Sequence, residues 1–194
     1  METKIKYTDW QMNEIPVSEI NAIKQYQKRY FVDGKEIKSE LFINQEYDST
    51  YYYINGREDV QQILRDNPNA HFSFSYENSG YEISETLHYE NAILIDKMVY
   101  VDETEPDGAS ICWAKVKFKD DAEKVVEVEK YYNVNGERKY LFYYDSDGNC
   151  EKIYGEDDVT EDVWPSQIGI RPDVTFTWEG FEYYRHALPL IPEK

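Results

Sequence analysis

The acidic side chains of residues 145–156 come closest to a recognisable metal-binding spacing. In D-S-D-G-N-C-E-K-I-Y-G-E, oxygen-bearing side chains fall at positions 1, 3, 5, 7 and 12 of an EF-hand calcium loop. Cys150 stands where that loop requires glycine, Ile153 comes one place late, and both flanks resemble strands rather than helices. A plain Asp-Gly turn explains the stretch at least as well. We therefore predict no metal ligand and no cofactor, with a weakly calcium-dependent scaffold protein as a minor alternative.

Other catalytic chemistry lacks its usual sequence pattern. The three histidines, His71, His88 and His186, are far apart in the chain and have no metal-ligand spacing. No serine or cysteine stands in a nucleophile motif, and there is no glycine-rich phosphate loop. Carboxylate pairs for glycoside hydrolysis depend on separation in space, and 39 acidic residues provide many accidental pairs. We predict no catalytic residue; the alternative is a carbohydrate-active hydrolase with a carboxylate pair in a Tyr- and Trp-lined cleft.

The charge of the chain points to a class of partner. The sequence has 39 acidic and 21 basic side chains, which give a formal net charge of -18. Such a charge repels the phosphates of nucleic acids and anionic lipids, so we expect neither nucleic-acid nor membrane binding. The same field attracts basic surfaces, which favours a basic protein partner. Solubility alone is the other explanation of the charge.

Two acidic segments, residues 102–107 and 156–162, are the candidate contact sites for such a partner. Aromatic side chains beside the second segment would supply the buried anchors that carry most binding energy. A solvated loop is the alternative interpretation of each segment taken alone. The predicted partner-binding residues are Asp102, Glu103, Glu105, Asp107, Tyr154, Glu156, Asp157, Asp158, Glu161, Asp162 and Trp164.

The element that most clearly organises the chain is a hairpin centred on Asn135-Gly136. This dipeptide supplies the positive φ angles of a type I′ turn, and strand-forming residues flank it on both sides. Regular pairing outward from the turn places Tyr132 opposite Lys139 and Lys130 opposite Leu141. A second turn at residues 145–149 then adds a third strand over 151–154.

Other parts of the chain alternate in the same way. We predict a short helix with Ser18 as its N-cap, a hairpin at Asp33-Gly34 and a helix over 57–66 that ends at Asn67-Pro68. Strands are predicted around 71–76, 81–90, 92–101 and 111–119, the last with a bulge between Trp113 and Val116, and finally over 174–178.

These elements predict an α+β fold, dominated by antiparallel meanders with one or two short helices against the sheet. A length of 194 residues suits a single domain over 1–194, and Pro189 and Pro192 favour an extended tail over 186–194. The chain shows no signal peptide and no apolar run approaching the ~18 residues of a membrane span. Cys112 and Cys150 suit reduced thiols in a cytoplasmic protein, although a single disulfide remains open.

Three segments share an aromatic strand, an Asp/Asn-Gly turn and a charged return: Y-F-V-D-G-K-E-I, Y-Y-Y-I-N-G-R-E and Y-Y-N-V-N-G-E-R. This pattern resembles hairpin-rich bacterial proteins, including MORN-type antitoxin components. The acidic, tyrosine-rich chain as a whole is similar to immunity proteins of bacterial polymorphic toxin systems. The resemblance implies a non-enzymatic cytoplasmic inhibitor that binds a cognate, basic toxin domain and blocks its active site or substrate groove.

Overall fold

The computed structural model describes residues 2–104, 109–119, 122–156 and 161–193, without the side chains of Glu58 and Lys119. Within these ranges the chain forms one α-helix, α1 (Val60–Asp66), four short 3₁₀ segments and eleven strands. The strands are β1 (Thr3–Thr8), β2 (Gln25–Val32), β3 (Lys35–Ile43), β4 (Glu46–Tyr53), β5 (Ala70–Asn78), β6 (Tyr81–Glu90), β7 (Ile93–Glu103), β8 (Ser110–Lys119), β9 (Ala122–Val134), β10 (Glu137–Tyr144) and β11 (Cys150–Gly155).

The strands form a single sheet whose order follows the chain from β1 to β11. The pairing is mostly antiparallel, as the meander patterns predict, and β4 and β5 pair in parallel across the α1 connection. The protein is therefore largely β, and the α+β class expected from the sequence is not confirmed. No helix in the described ranges is long and apolar enough to cross a membrane.

Contacts divide the chain into two compact units. The first comprises Met1–Ser75 and Glu85–Ile95, and the second comprises Tyr76–Ser84 and Asp96–Lys194. Each unit has hydrophobic clusters of its own, so each can be described by itself. The single domain over 1–194 stays a prediction.

In the first unit, the predicted hairpin at Asp33-Gly34 is present and joins β2 to β3. The helix over 57–66 is also confirmed, as a 3₁₀ turn followed by α1, and its buried Val60 and Leu64 pack on the sheet through Phe72. The helix at Ser18 is wrong in type and start. A 3₁₀ segment runs over Val17–Ala22 instead, Pro16 takes the N-cap position, and no side chain caps it.

In the second unit, β9 and β10 form the predicted hairpin, with Asn135 at φ 54° and Gly136 at φ 77°. The predicted register holds only next to the turn. Pairing slips by one residue at Lys139, so Tyr132 faces Tyr140 and Lys130 faces Phe142. A bulge of this kind moves every later side chain of the strand to the opposite face, which is why the predicted partners of Tyr132 and Lys130 are wrong.

The turn makes a direct prediction about stability. Gly136→Ala should lower the free energy of unfolding by about 1 to 2 kcal/mol, because a Cβ disfavours the left-handed backbone of this position. Chemical denaturation measures the change, and Asn135→Gly is the matched control because glycine adopts the φ of 54° freely. Equal stability of Gly136→Ala and the wild type would show that the turn tolerates another geometry.

One row of side chains crosses five strands of the second unit and is wholly buried. It consists of Val101, Cys112, Lys130, Phe142 and Ile153, which the strand registers place side by side. The pairing of β8 with β9 does slip at Lys115–Val116, but the extra residue is Val126, so the bulge lies in β9 and not in β8 as predicted. Cys112 and Cys150 are both buried free thiols. A lysine at the centre of such a row requires partners that satisfy its charge.

The C-terminal segment, residues 183–190, supplies those partners. The Nζ of Lys130 donates hydrogen bonds to the carbonyl oxygens of Tyr183 at 2.8 Å, His186 at 2.8 Å and Pro189 at 2.9 Å. It also lies 3.7 Å from the centre of the Tyr183 ring, in a cation–π contact. In the stretch predicted as an extended tail, Ala187 is buried in a hydrophobic cluster. The strand predicted over 174–178 is wrong, because these residues form no strand.

Candidate functional site

Asp102 and Glu156, the first residues of the two predicted acidic segments, lie at the same end of the strands of the second unit. Asp102 pairs with Ser110, whose carbonyl accepts a 2.9 Å hydrogen bond from the Asn133 side chain near the β9–β10 turn. On the far side of that hairpin, the Glu156 amide donates to the Lys139 carbonyl at 3.1 Å. The hydrogen-bonded ladder thus carries the two segments to one edge, about 19 Å apart across four strand spacings.

The exposure of the predicted residues differs. Glu103, Glu156 and Asp162 are exposed, whereas Asp102 and Glu161 are half-buried. The side chain of Trp164 is 45% exposed, so a large apolar surface faces water close to Asp162 in the sequence. Four of the predicted partner-binding residues lie outside the described residues: Glu105, Asp107, Asp157 and Asp158.

Two of the predicted acids are already used inside the protein. Glu161 accepts hydrogen bonds from the Thr175 amide at 2.9 Å and from the Thr175 hydroxyl at 3.2 Å. Asp162 accepts one from the Gly155 amide at 3.2 Å and lies 3.5 Å from the Lys152 ammonium. These carboxylates hold the segment after β11 in place. Glu103 and Glu156 are therefore the acids best placed for an outside partner.

Lys152 connects the two predicted aromatic anchors. Its Nζ lies 3.5 Å from the centre of the Tyr154 ring and 5.0 Å from that of Trp164. A hydrogen bond with Tyr154 is the main cause that raises the pKa of Lys152, and the negative charge of Asp162 adds to it. The ammonium group therefore stays charged. Tyr143 adds an edge-on contact to Tyr154 at 5.2 Å. The rings are thus fixed before any partner arrives, and preorganised aromatic side chains cost little entropy on binding.

The sequence did not predict a groove in this unit. It has a volume of about 430 Å³ and lies between the first half of β9 and the turn after β10. In the sequence, the acids of this turn stand out only through their resemblance to a calcium loop. Asp145 Oδ1 instead accepts hydrogen bonds from the amides of Asp147 and Asn149, at 3.0 and 2.9 Å. These bonds, led by that of Asn149, lower the pKa of Asp145. A general acid for glycoside hydrolysis needs the opposite shift, so Asp145 does not suit that role.

The histidines also differ from the sequence picture. His71 and His88 are far apart in the chain, yet in the first unit their rings stack at 4.5 Å, and Tyr51 stacks on His71 at 4.4 Å. Parallel pairing of β4 with β5 places Tyr51 beside His71, and no local sequence motif predicts the stack. Among the described residues, no group of three or more His, Cys, Asp or Glu side chains is arranged to hold a metal ion.

The second unit therefore presents an acidic edge with fixed aromatic side chains and, separately, an acidic groove. Comparison of the chain with models of known protein families, with curated proteins and with solved structures finds no match.

Proposed function

We propose that the protein is a non-enzymatic binding module that acts in the cytoplasm as an immunity protein and neutralises a basic toxin domain. The observation that carries the proposal is that Asp102 and Glu156, the first residues of the two acidic segments, lie at the same end of the strands of the second unit, about 19 Å apart, and that Trp164 is half-exposed. A net charge of -18 would steer a basic partner toward the protein, and an aromatic anchor would hold it.

The division of roles within the site supports an inhibitor better than an enzyme. Glu161 and Asp162 bond to the backbone amides of Thr175 and Gly155, and Lys152 contacts both aromatic rings, so these side chains are already positioned without a partner. A charged edge can cover a partner's substrate groove without any chemical step of its own. Preorganisation of this kind raises affinity because less conformational entropy is lost on binding.

The first test is capture of the partner from the native cell lysate with the purified chain as bait, washed at moderate salt and identified by mass spectrometry. We expect one stoichiometric basic protein whose toxic or enzymatic activity is lost when the purified pair is mixed. A captured protein that remains fully active in the complex would contradict the inhibitor function. Failure to capture any specific protein would contradict the binding function itself.

Charge reversal at the acidic edge gives a sharper prediction. Glu103→Lys combined with Glu156→Lys should slow association with the captured partner about tenfold at low salt, because steering depends on the local field. Both side chains are exposed, so thermal stability should change little. Surface plasmon resonance at two ionic strengths measures the association rates.

The matched control makes the same change in net charge elsewhere. Glu19→Lys combined with Glu46→Lys alters two exposed acids of the first unit and should leave most of the association rate intact. Equal slowing by both pairs would mean that only net charge matters and that the acidic edge is not the contact site.

A further inference from the structure

The groove in the second unit combines an apolar floor with a rim of carboxylates. Its apolar lining includes Val126, Val128 and Leu188, and its acidic lining consists of Glu123, Glu127, Asp145 and Asp147. Among the described residues, the lining contains a single lysine, Lys124. The groove therefore has a strong excess of negative charge around a hydrophobic surface.

The apolar floor is exposed for a structural reason. Lys115 pairs with Glu127 and Val116 with Val125, so Val126 is the extra residue of a bulge and is 40% exposed. Leu188, on the opposite wall, is 57% exposed. Both lie beside buried apolar residues, so the groove floor is continuous with the hydrophobic cluster of this unit.

The rim acids differ in how far their charge is already compensated. Glu123 pairs with Lys97 at 3.2 Å, and Asp145 is bonded to the amides of its own turn. Glu127 and Asp147 are exposed, and their carboxylates have no hydrogen-bond or ion-pair partner within the described part of the chain. Two carboxylates on opposite sides of an apolar floor are thus available to a ligand.

The C-terminal segment forms a fixed wall of the groove. The Ala187 amide donates to the Gly148 carbonyl at 2.8 Å, and His186 forms a β-bridge with Asn149. Lys130 of β9 also binds this segment, because its Nζ donates a hydrogen bond to the His186 carbonyl. Because both walls are tied to the sheet, the groove is present without a ligand.

We propose that this groove binds a lysine or arginine side chain with an adjacent apolar residue, presented by an extended segment of a basic protein. A long aliphatic stem with a charged head matches an apolar floor between carboxylates, because the stem is buried while the head pairs with the rim. The inference rests on the proposed function for the source of that segment. It adds a second contact surface, distinct from the acidic edge.

Other occupants fit the groove less well. Nucleic acid would bring phosphates against four carboxylates, and a second copy of the chain would bring a further -18 of charge. A linear polyamine would satisfy the carboxylates but leave the exposed Val126 and Leu188 without apolar contacts. The combination of charge and apolar surface favours an amphipathic basic segment.

A synthetic peptide tests the groove directly, without the natural partner. The probe is acetyl-Gly-Leu-Arg-Leu-Lys-Gly-amide, and the neutral control replaces arginine by citrulline and lysine by glutamine. In amide NMR titrations of the full chain, we expect shifts confined to residues 123–128, 145–148 and 186–188. The neutral peptide should cause none at the same concentration. Absence of binding by the basic peptide, or equal binding of the neutral one, would overturn the proposal.

Protein variants identify the atoms involved. Glu127→Gln with Asp147→Asn removes two charges at nearly constant shape and should raise the Kd of the peptide about fivefold or more. Leu188→Ser should weaken binding to a similar degree through the lost apolar contact. The control pair, Glu19→Gln with Glu46→Gln, removes the same charge from two exposed acids of the first unit and should leave the Kd unchanged. An equal loss in the control pair would overturn the groove assignment.

Failure of the groove proposal can be distinguished from failure of the proposed immunity function. Peptide binding that fails while a basic protein is still captured and inhibited would remove the groove and leave the immunity function standing. Peptide binding in the groove without any inhibited partner would leave the groove as a binding site for basic segments and remove the immunity function.

Discussion

Lys130→Met should detach the C-terminal segment from the sheet of the second unit and lower the free energy of unfolding by about 2 kcal/mol or more. The substitution keeps the length and most of the volume of the side chain. It removes the donor that three carbonyl oxygens share, those of Tyr183, His186 and Pro189. Other described donors of the sheet each reach a single carbonyl of this segment: the Cys150 amide bonds to Arg185 at 3.1 Å and the Tyr144 hydroxyl to Tyr184 at 2.9 Å.

Two opposing terms decide the size of the effect. Burial lowers the pKa of Lys130 from 10.5 to about 8, which corresponds to a cost of about 3 kcal/mol for the buried charge at neutral pH. Three hydrogen bonds from a charged donor contribute roughly 1.5 to 3 kcal/mol each. Methionine relieves the first term and loses the second, and the second is larger. The net result is destabilisation concentrated where the carbonyl groups lie.

Limited proteolysis places the effect within the chain. Arg185 is exposed and lies inside the held segment, so trypsin reaches the following peptide bond only when the segment opens. Cleavage there should accelerate about tenfold or more in Lys130→Met. Lys152→Met is the matched control, because Lys152 is a half-buried lysine of the neighbouring β11 whose contacts are side chains alone. Wild-type stability and wild-type cleavage in Lys130→Met would show that the lysine does not hold the segment.

The role of Lys130 also shows where sequence reasoning ends. Strand-forming residues and the Asn135-Gly136 turn predict the hairpin correctly, because both signals are local. The bulge at Lys139 shifts the register by one residue and is not visible in the residue pattern. A lysine in a strand is normally read as solvent-facing. Its burial here depends on carbonyl groups more than 50 residues further along the chain, which only the folded structure brings together.

In the candidate site too, the sequence predicts the local features, whereas the contacts between distant residues appear only in the structure. Runs of Asp and Glu identify exposed acids such as Glu103 and Glu156, because charge density predicts exposure. Sequence alone does not distinguish them from Glu161 and Asp162, which bond to backbone amides of their own chain. The groove was missed because its apolar floor depends on a bulge at Val126, and its wall depends on the C-terminal segment.

Alkaline pH should unfold the protein because it ionises buried tyrosines that lie in or beside the C-terminal segment. Burial raises the pKa of Tyr144, Tyr183 and Tyr184 well above the value of 10.0 in the unfolded chain. Groups with a raised folded-state pKa contribute stability that is complete below pH 10 and is lost as the pH rises above it. These three groups contribute about 4 kcal/mol lost per pH unit above pH 10, and the buried thiols of Cys112 and Cys150 add to the loss up to about pH 12.

Between pH 9 and 10 the loss should be much shallower, because opposing groups titrate there. Burial raises the pKa of Cys112 and Cys150 from 9.0 to about 12, so the unfolded chain releases two protons that the folded chain retains. Lys130 acts in the other direction, because its folded pKa of about 8 lies below the unfolded value of 10.5. The difference of one proton corresponds to a loss of about 1.4 kcal/mol per pH unit.

Urea denaturation at a series of pH values separates titration from ordinary destabilisation. Tyr144→Phe combined with Tyr183→Phe removes two ionisable groups and should reduce the slope above pH 10 by about 2.7 kcal/mol per pH unit. It also loses hydrogen bonds to the carbonyls of Tyr184 and Leu190, which lowers stability at every pH without changing the slope. Phe142→Leu, in the adjacent cluster, should lower stability equally at all pH values. A double variant whose curve stays parallel to the wild type would mean that these hydroxyls ionise freely in the folded protein, and that the packing of the C-terminal segment does not exclude water from them.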